Sequence, residues 1–194
     1  MALAHSYSSV KDYEGCARRY HEVRILKKFK SQDTQATLYG TAVHKAFEDY
    51  IKDGTPLPAQ FAQFQHFVEP LAAHDGEIRC EDRMAIRVDF SPCGFFDKDV
   101  WFRGIPDYLA ISKSRKTARV ADYKTGKSSR YADTAQLELM AAMIMLHHPT
   151  VDKVKGVLLF VVVGDIIQSE YTRAQLPEIL SKWAGRAGAI EKAV

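Results

Sequence analysis

The 194-residue chain is 46% hydrophobic and 26% charged, with a formal net charge of +3, which describes an ordinary globular protein large enough for one real core. Its longest uninterrupted apolar runs, Leu139 to Leu146 and Val157 to Val163, are too short to cross a bilayer, and its opening MALAHSYSSVK lacks the basic start and apolar stretch of a secretory signal. The three cysteines, Cys16, Cys80 and Cys93, are odd in number and widely spaced, which argues against a disulfide framework or a CxxC zinc site and makes a reducing, cytoplasmic setting the expectation.

The stretch SYSSVKDYEGCARRYHEVRIL reads as one capped helix, with Val10, Tyr13, Ala17 and Tyr20 at helical spacing and Gly15 as a weak point. LYGTAVHKAFEDYIKDG reads as a second helix, opened by Gly40-Thr41, striped by Val43, Phe47, Tyr50 and Ile51, and ended by Asp53-Gly54. PAQFAQFQHFVEPLAAHDG places Phe61, Phe64, Phe67 and Leu71 on one helical face, with a kink expected at Pro70. The period then changes. EIRCEDRMAIRVDF alternates as a strand with one wet face, and SPCG and DKD carry turn chemistry. VWFRGIPDYLAI and TARVADYK read as two further strands joined by SKSRK. A helix in DTAQLELMAAMIMLHH, a buried strand in VKGVLLFVVVG, an edge strand in DIIQSEYT and a closing helix from Arg173 complete the chain. This order predicts a single α/β domain over residues 1–194, a central mixed β-sheet flanked by helices.

The charges cluster. Arg18-Arg19, Lys27-Lys28 and Lys30 lie near the start; Lys113, Arg115, Lys116 and Arg119 surround one turn; Lys124, Lys127 and Arg130 follow. Each cluster alone fits a solvated face, but convergence on one site would suit a nucleic-acid partner.

Two acids give that site a centre. A symmetric antiparallel hairpin centred between Ser114 and Arg115 puts Asp107 opposite Asp122 and Ile105 opposite Lys124. Residues two apart share a strand face, so Lys124 joins Asp122 there. Facing carboxylates repel, whereas a divalent cation between them reverses the sign, because hard cations want clustered oxygens. A slip of one residue would separate the acids. A competing reading takes TGKSS as the end of a phosphate-cradling loop. That loop requires a glycine where Ala121 stands, and DYKT has no glycine to help backbone N–H groups converge.

With GIPD at Gly104–Asp107 and DYK at Asp122–Lys124, the chain resembles the PD-(D/E)xK nuclease superfamily, and within it the RecB-type exonuclease branch of phage and CRISPR-associated enzymes. SYSSVKDYEGCARRY is similar to that branch's serine-rich, Cys-x-Arg opening, GTAVH to its Gly-x-x-x-His motif, and QLELM to its Gln-x-x-x-Tyr motif with Met140 in place of tyrosine. The resemblance covers about residues 6–140. It implies a restriction-endonuclease-like core over about 76–172, a preceding helical segment over about 1–75, and metal-dependent hydrolysis of DNA phosphodiesters. Implied metal ligands for Mg²⁺ or Mn²⁺ are His44 in the first turn of its helix, Asp107, Asp122, the carbonyl of Tyr123, and Glu81 at a strand start as an additional candidate. Imidazole in that set suits manganese. Lys124 would position or deprotonate the attacking water, and Gln136 would orient that water or Lys124. Arg18, Arg19, Lys127 and Arg130 would touch DNA phosphates.

Iron–sulfur relatives carry a C-terminal cysteine trio that this chain lacks after Cys93, so no iron–sulfur cluster is expected and Cys16 is read as a packed helix residue. The expected activity is an exonuclease working from DNA ends in recombination, repair or replication of a bacterial or phage-infected cell. A single-strand annealing or recombination protein and a homo-oligomer are its expected partners. A structure-specific endonuclease and a catalytically inactive DNA-binding module on the same fold are the alternatives.

Overall fold

A computed structural model describes residues 3–29 and 32–193; Lys30 of the first basic cluster lies outside them. Among the described residues, eight strands form two sheets. The main sheet has the order β1 (Gly76–Cys80), β5 (Tyr108–Ser112), β6 (Thr117–Lys124), β7 (Lys153–Phe160) and β8 (Asp165–Thr172). Its β6–β7 pair is parallel and the other pairs are antiparallel, so the sheet is mixed, as expected. A smaller antiparallel sheet has the order β3 (Pro92–Cys93), β2 (Met84–Ile86) and β4 (Phe102–Gly104).

Alternation along β5, β6 and β7 sorts the main sheet into two apolar faces. Leu109, Ile111, Val120, Val154 and Leu158 pack with α5 (Ala135–His147) and α6 (Leu176–Glu191). Tyr108, Ala110, Ala121, Tyr123 and Leu159 pack with α3 (Gln35–Asp53) and α4 (Gln65–Ala72). Helix α5 is the crossover between parallel β6 and β7, and it is buried nearly all round from Leu137 to Met145 because the small sheet covers its far side. That double burial explains its unbroken apolar run.

Several expected elements are divided. The first helix breaks at Cys16, which is extended; α1 (Tyr7–Gly15) stops there and a short α2 (Ala17–Tyr20) begins. Cys16 is exposed and accepts from the Arg19 N–H through Sγ, so it is a cap and not a packed helix residue. Helix α3 starts earlier than Gly40-Thr41, at a reciprocal Thr34–Thr37 capping box, which moves His44 from a first turn to the helix middle. The segment expected as one helix after Pro58 is a 3-10 helix, Ala59–Phe64, running into α4 with Pro70 inside.

The strand expected over 77–90 splits into β1 and β2 at Glu81, which takes a left-handed φ of 54° and ends β1 instead of starting a strand. The strand expected over 100–111 splits into β4 and β5 around Ile105–Asp107, since Pro106 has no N–H to give a ladder. SPCG, expected as a turn, contains β3. The basic turn after β5 sits at the end of β5 and β6 away from Lys124, with Lys113, Arg115 and Lys116 paired to Asp75, Glu77 and Asp152, so that cluster does not join the site.

Candidate active site

The two breaks, at Glu81 and at Ile105–Asp107, open a cleft where β6 ends. The β5–β6 register runs Ile111↔Ala118 to Tyr108↔Ala121, the hairpin alignment expected from sequence, and stops one step short of Asp107 and Asp122. Free of the pleat, Asp107 accepts the Tyr123 N–H through Oδ2 at 2.6 Å. Its Oδ1 lies 3.2 Å from His44 Nδ1, while His44 Nε2 donates to the Tyr123 carbonyl at 3.0 Å. Helix α3 can bring His44 this close because residue 40 is glycine: a Cβ there would stand 3.1 Å from Thr125 Oγ1.

Glu81 completes the group. Its backbone accepts the left-handed conformation, which costs a non-glycine residue about 1 kcal/mol or more, and its N–H donates to the Asp107 carbonyl. One ligand atom each from His44, Glu81 and Asp107 lies within 4.8 Å of the others. An imidazole with two carboxylates is a donor set that fits a divalent cation.

Asp122 stands outside that triple. It is buried, 8% exposed, and its partners come from the α5 side. Lys124 Nζ lies 2.5 Å from Asp122 Oδ2 and donates to Gln136 Oε1 at 3.0 Å, and Gln136 Nε2 donates to Asp122 Oδ1. Lysine, amide and carboxylate thus close a ring. Gln136 reaches it from the first turn of α5, the segment that follows β6 after the Thr125–Thr134 loop. No helix starts at Lys127 or Ser128, so the phosphate-cradle reading of TGKSS has no structural counterpart.

The electrostatics are those of crowded negative charge. Burial, then the Asp107 charge, hold the Asp122 carboxyl above its ordinary range, with Lys124 acting in the opposite sense. Burial and then Asp107 also raise Glu81. Burial disfavours charge on His44, but the hydrogen bond and charge of Asp107, with Asp122 behind it, outweigh this and raise its pKa. Both ring nitrogens face oxygen acceptors, an arrangement that favours the protonated ring. A cation held by these acids would relieve the same repulsion.

The other expected residues lie apart from this core. Lys127 and Arg130 are exposed on the loop after β6, Arg130 lying over the Tyr131 ring at 5.6 Å. Arg18 and Arg19 line a separate open groove of about 840 Å³ with Glu22, Lys28 and Phe29, and Arg19 lies 3.6 Å from Asp12.

A cleft of about 520 Å³ at His44 and Glu81 is lined further by Thr41, Lys45, Glu48, Lys52 and Arg83, residues that the motif reading passed over. Thr41, Lys45, Glu48 and Lys52 recur at helical spacing opposite the Val43–Phe47 stripe, and that polar stripe is the signal that could have found them.

The family comparison agrees with this architecture. The family model described as the PD-(D/E)XK nuclease superfamily matches residues 4–193. No curated protein matches the sequence. Among solved structures, a "Putative exonuclease" from Eubacterium rectale is similar with a TM-score of 0.51 at 15% identity, over 96% of this chain and 79% of that one. A protein named SSO0001 aligns with a TM-score of 0.47 at 14% identity, over 93% of this chain and 74% of that one. With a fold of this kind and a family match running almost from end to end, the chain belongs to the PD-(D/E)XK nuclease superfamily.

Proposed function

We propose that this nuclease is a metal-dependent DNA exonuclease. The observation that carries the reading is the meeting, at the end of β6, of the His44–Glu81–Asp107 group with the Asp122–Lys124–Gln136 ring. His44, Glu81, Asp107 and the Tyr123 carbonyl would hold Mg²⁺ or Mn²⁺, with Asp122 beside them. Such an ion supplies Lewis-acid polarisation of the phosphate and a more acidic bound water.

The chain's own residues supply the rest. Lys124, one-third exposed, can reach a water entering the cleft while Asp122 fixes its ammonium. Gln136 holds both and sets the angle at which Lys124 points. Lys124 then positions the attacking water and, as an ammonium, offsets the charge growing on the phosphate; to take the water's proton it first releases its own to solvent. Arg18, Arg19, Lys127 and Arg130 contact phosphates farther along the strand. Residues 1–194 act as one nuclease domain, the helices before about residue 75 framing a core over about 76–172.

The exonuclease name of the Eubacterium rectale neighbour supports an end-directed activity. A role in recombination, repair or replication, beside an annealing or recombination protein or within a homo-oligomer, extends this reading.

The test uses end-labelled linear DNA and covalently closed circles, single- and double-stranded, with Mg²⁺ or Mn²⁺, for the wild type, Asp107→Ala and Lys124→Ala. The expected result is cleavage of linear DNA alone, lost in both variants. Equal cleavage of circles overturns the end-directed reading. Absence of metal-dependent cleavage with retained binding favours an inactive DNA-binding module.

A further inference from the structure

The small sheet ends at the cleft with unusual surface chemistry. Its register pairs Ala85 with Cys93 on one side and Arg103 on the other. Just beyond the end of the ladder, the Arg83 side chain lies over Phe95, and both Arg83 and Ile105 line the wall that carries His44 and Glu81. The opposite face of this sheet is accounted for: Met84, Ile86 and Phe102 are buried in the core beside α5.

At the exposed corner, the Arg83 guanidinium lies 5.8 Å from the Phe95 ring and 5.5 Å from the Phe96 ring, and that of Arg103 lies 5.1 Å from Phe95. Phe96 is 74% exposed. The two phenyl rings meet edge to face at 5.1 Å.

The corner is held still by other groups. Asp97 accepts the Gly94 N–H and pairs with Arg87, and Arg87 pairs also with Asp99. The loop bearing two phenylalanines is therefore braced from behind, and one apolar ring stands in solvent with no burial to explain it. Arg83 and Arg103, unlike Arg87, pair with no carboxylate among the described residues, so their positive charge is uncompensated. A braced aromatic face with free guanidinium charge, continuous with a nuclease cleft, has the chemistry of a platform for one nucleic-acid strand: a base stacks on the ring while the arginines meet the phosphates. A protein partner would leave both guanidinium charges to be matched by acids, and the continuity with the cleft would be incidental.

We infer that Phe96, on Phe95 and with Arg83 and Arg103, stacks an unpaired base of the substrate strand beside the scissile phosphate. The substrate at this site is thus a single strand or a frayed end. This inference rests on the nuclease reading and names the form of its substrate. It assigns Phe96 a positioning role without contact to the reacting atoms.

Binding without cleavage tests it. Fluorescence anisotropy in EDTA compares a labelled thymidine tract with an abasic tract of equal length, for the full chain, Phe96→Ala, Phe96→Trp and Arg83→Gln. Phe96→Ala is expected to weaken the thymidine tract roughly tenfold, about the effect of one stacked base, and to leave the abasic tract unchanged. Phe96→Trp restores the preference, and Arg83→Gln weakens both tracts alike. Unchanged thymidine binding in Phe96→Ala, or equal loss on both tracts, overturns the inference. Metal-dependent cleavage, measured separately, reports on the nuclease reading: cleavage without base-dependent binding removes the platform alone, and base-dependent binding without cleavage removes the activity alone.

Discussion

Lys124 and Asp122 lie two residues apart on β6 and meet at 2.5 Å, Nζ to Oδ2, with Gln136 bonded to both. A ring of this kind acts as a unit, so its members' losses should not add. Lys124→Ala is expected to lower the single-turnover cleavage rate by roughly 10²- to 10⁴-fold, the usual worth of a positioned proton-transfer group. Gln136→Ala is expected to lower it about tenfold, and the double variant to match Lys124→Ala. Independent multiplication of the two losses would show that Gln136 acts on the substrate and not through Lys124.

Asp107 faces the other way, toward His44 and Glu81, and gives a test by stability. In the metal-free protein its charge raises both Asp122 and Glu81, so neutralising it relieves repulsion. Asparagine can still accept the Tyr123 N–H through its carbonyl. Relief of that repulsion is set against loss of the His44–Asp107 pair, so Asp107→Asn should melt close to the wild-type temperature without metal. At Mn²⁺ one hundredfold above its dissociation constant, the wild type gains about 2.7 kcal/mol, roughly 5–10 °C for a chain of this size. The variant should lose most of that gain. An equal metal-induced rise in both proteins would place the ion elsewhere.

Which parts of this site could be read from sequence follows from how each residue is placed. Asp122 and Lys124 are set by strand alternation, a local rule that a sequence displays, and the observed β5–β6 register is the expected one; Asp107 lies one step past the ladder and turns to His44 instead of facing Asp122. Gln136 and His44 have no such local mark. Motif likeness alone points to them, because helices that cross a sheet from different sides bring them within reach through tertiary packing. Motif likeness points to Glu81 but not to its backbone role: a left-handed φ at a glutamate is set by the cleft and not by local propensity. The same limit divided the two long strands, since alternation continues through Glu81 and through Ile105 even though the ladders stop. Phe95 and Phe96 fall between the turn segments SPCG and DKD and carry no mark of their own, because braced exposure is indistinguishable in sequence from a buried pair.

A pH prediction comes from His148, which caps α5 and is 9% exposed. Burial first, then Arg79, Arg115 and His147, hold its pKa below the ordinary value, with Asp82 acting weakly the other way. The folded state thus favours the neutral ring, while the unfolded chain takes up a proton near the ordinary pKa of about 6.5. Its contribution is fully present above about pH 6.5 and is lost as pH falls through the lowered folded value, at up to about 1.4 kcal/mol per pH unit. Urea unfolding at pH 7.5 and pH 5 should show a smaller acid loss for His148→Gln than for the wild type. Equal losses would mean that other groups carry the acid sensitivity.

Met140 occupies the place where the resembling branch carries tyrosine, and its position decides whether a hydroxyl is missing from this cleft. It is 5% exposed and belongs to the core between α5 and the small sheet. Its Cε stands 2.3 Å from where a Cβ on Gly104 would be, so the thioether fills the space that the glycine leaves open. Methionine bends into such a gap; a phenol ring does not. Met140→Tyr should therefore overpack this contact, lower stability by about 1–3 kcal/mol, and leave the cleavage rate no higher. Met140→Leu, close in volume, should cost less than about 1.5 kcal/mol. Gly104→Ala meets the same methionine, so its loss combined with Met140→Tyr should depart from additivity. Faster cleavage by Met140→Tyr at unchanged melting temperature would mean that residue 140 can turn toward the substrate, and that α5 packs more loosely over β4 than the Gly104–Met140 contact implies.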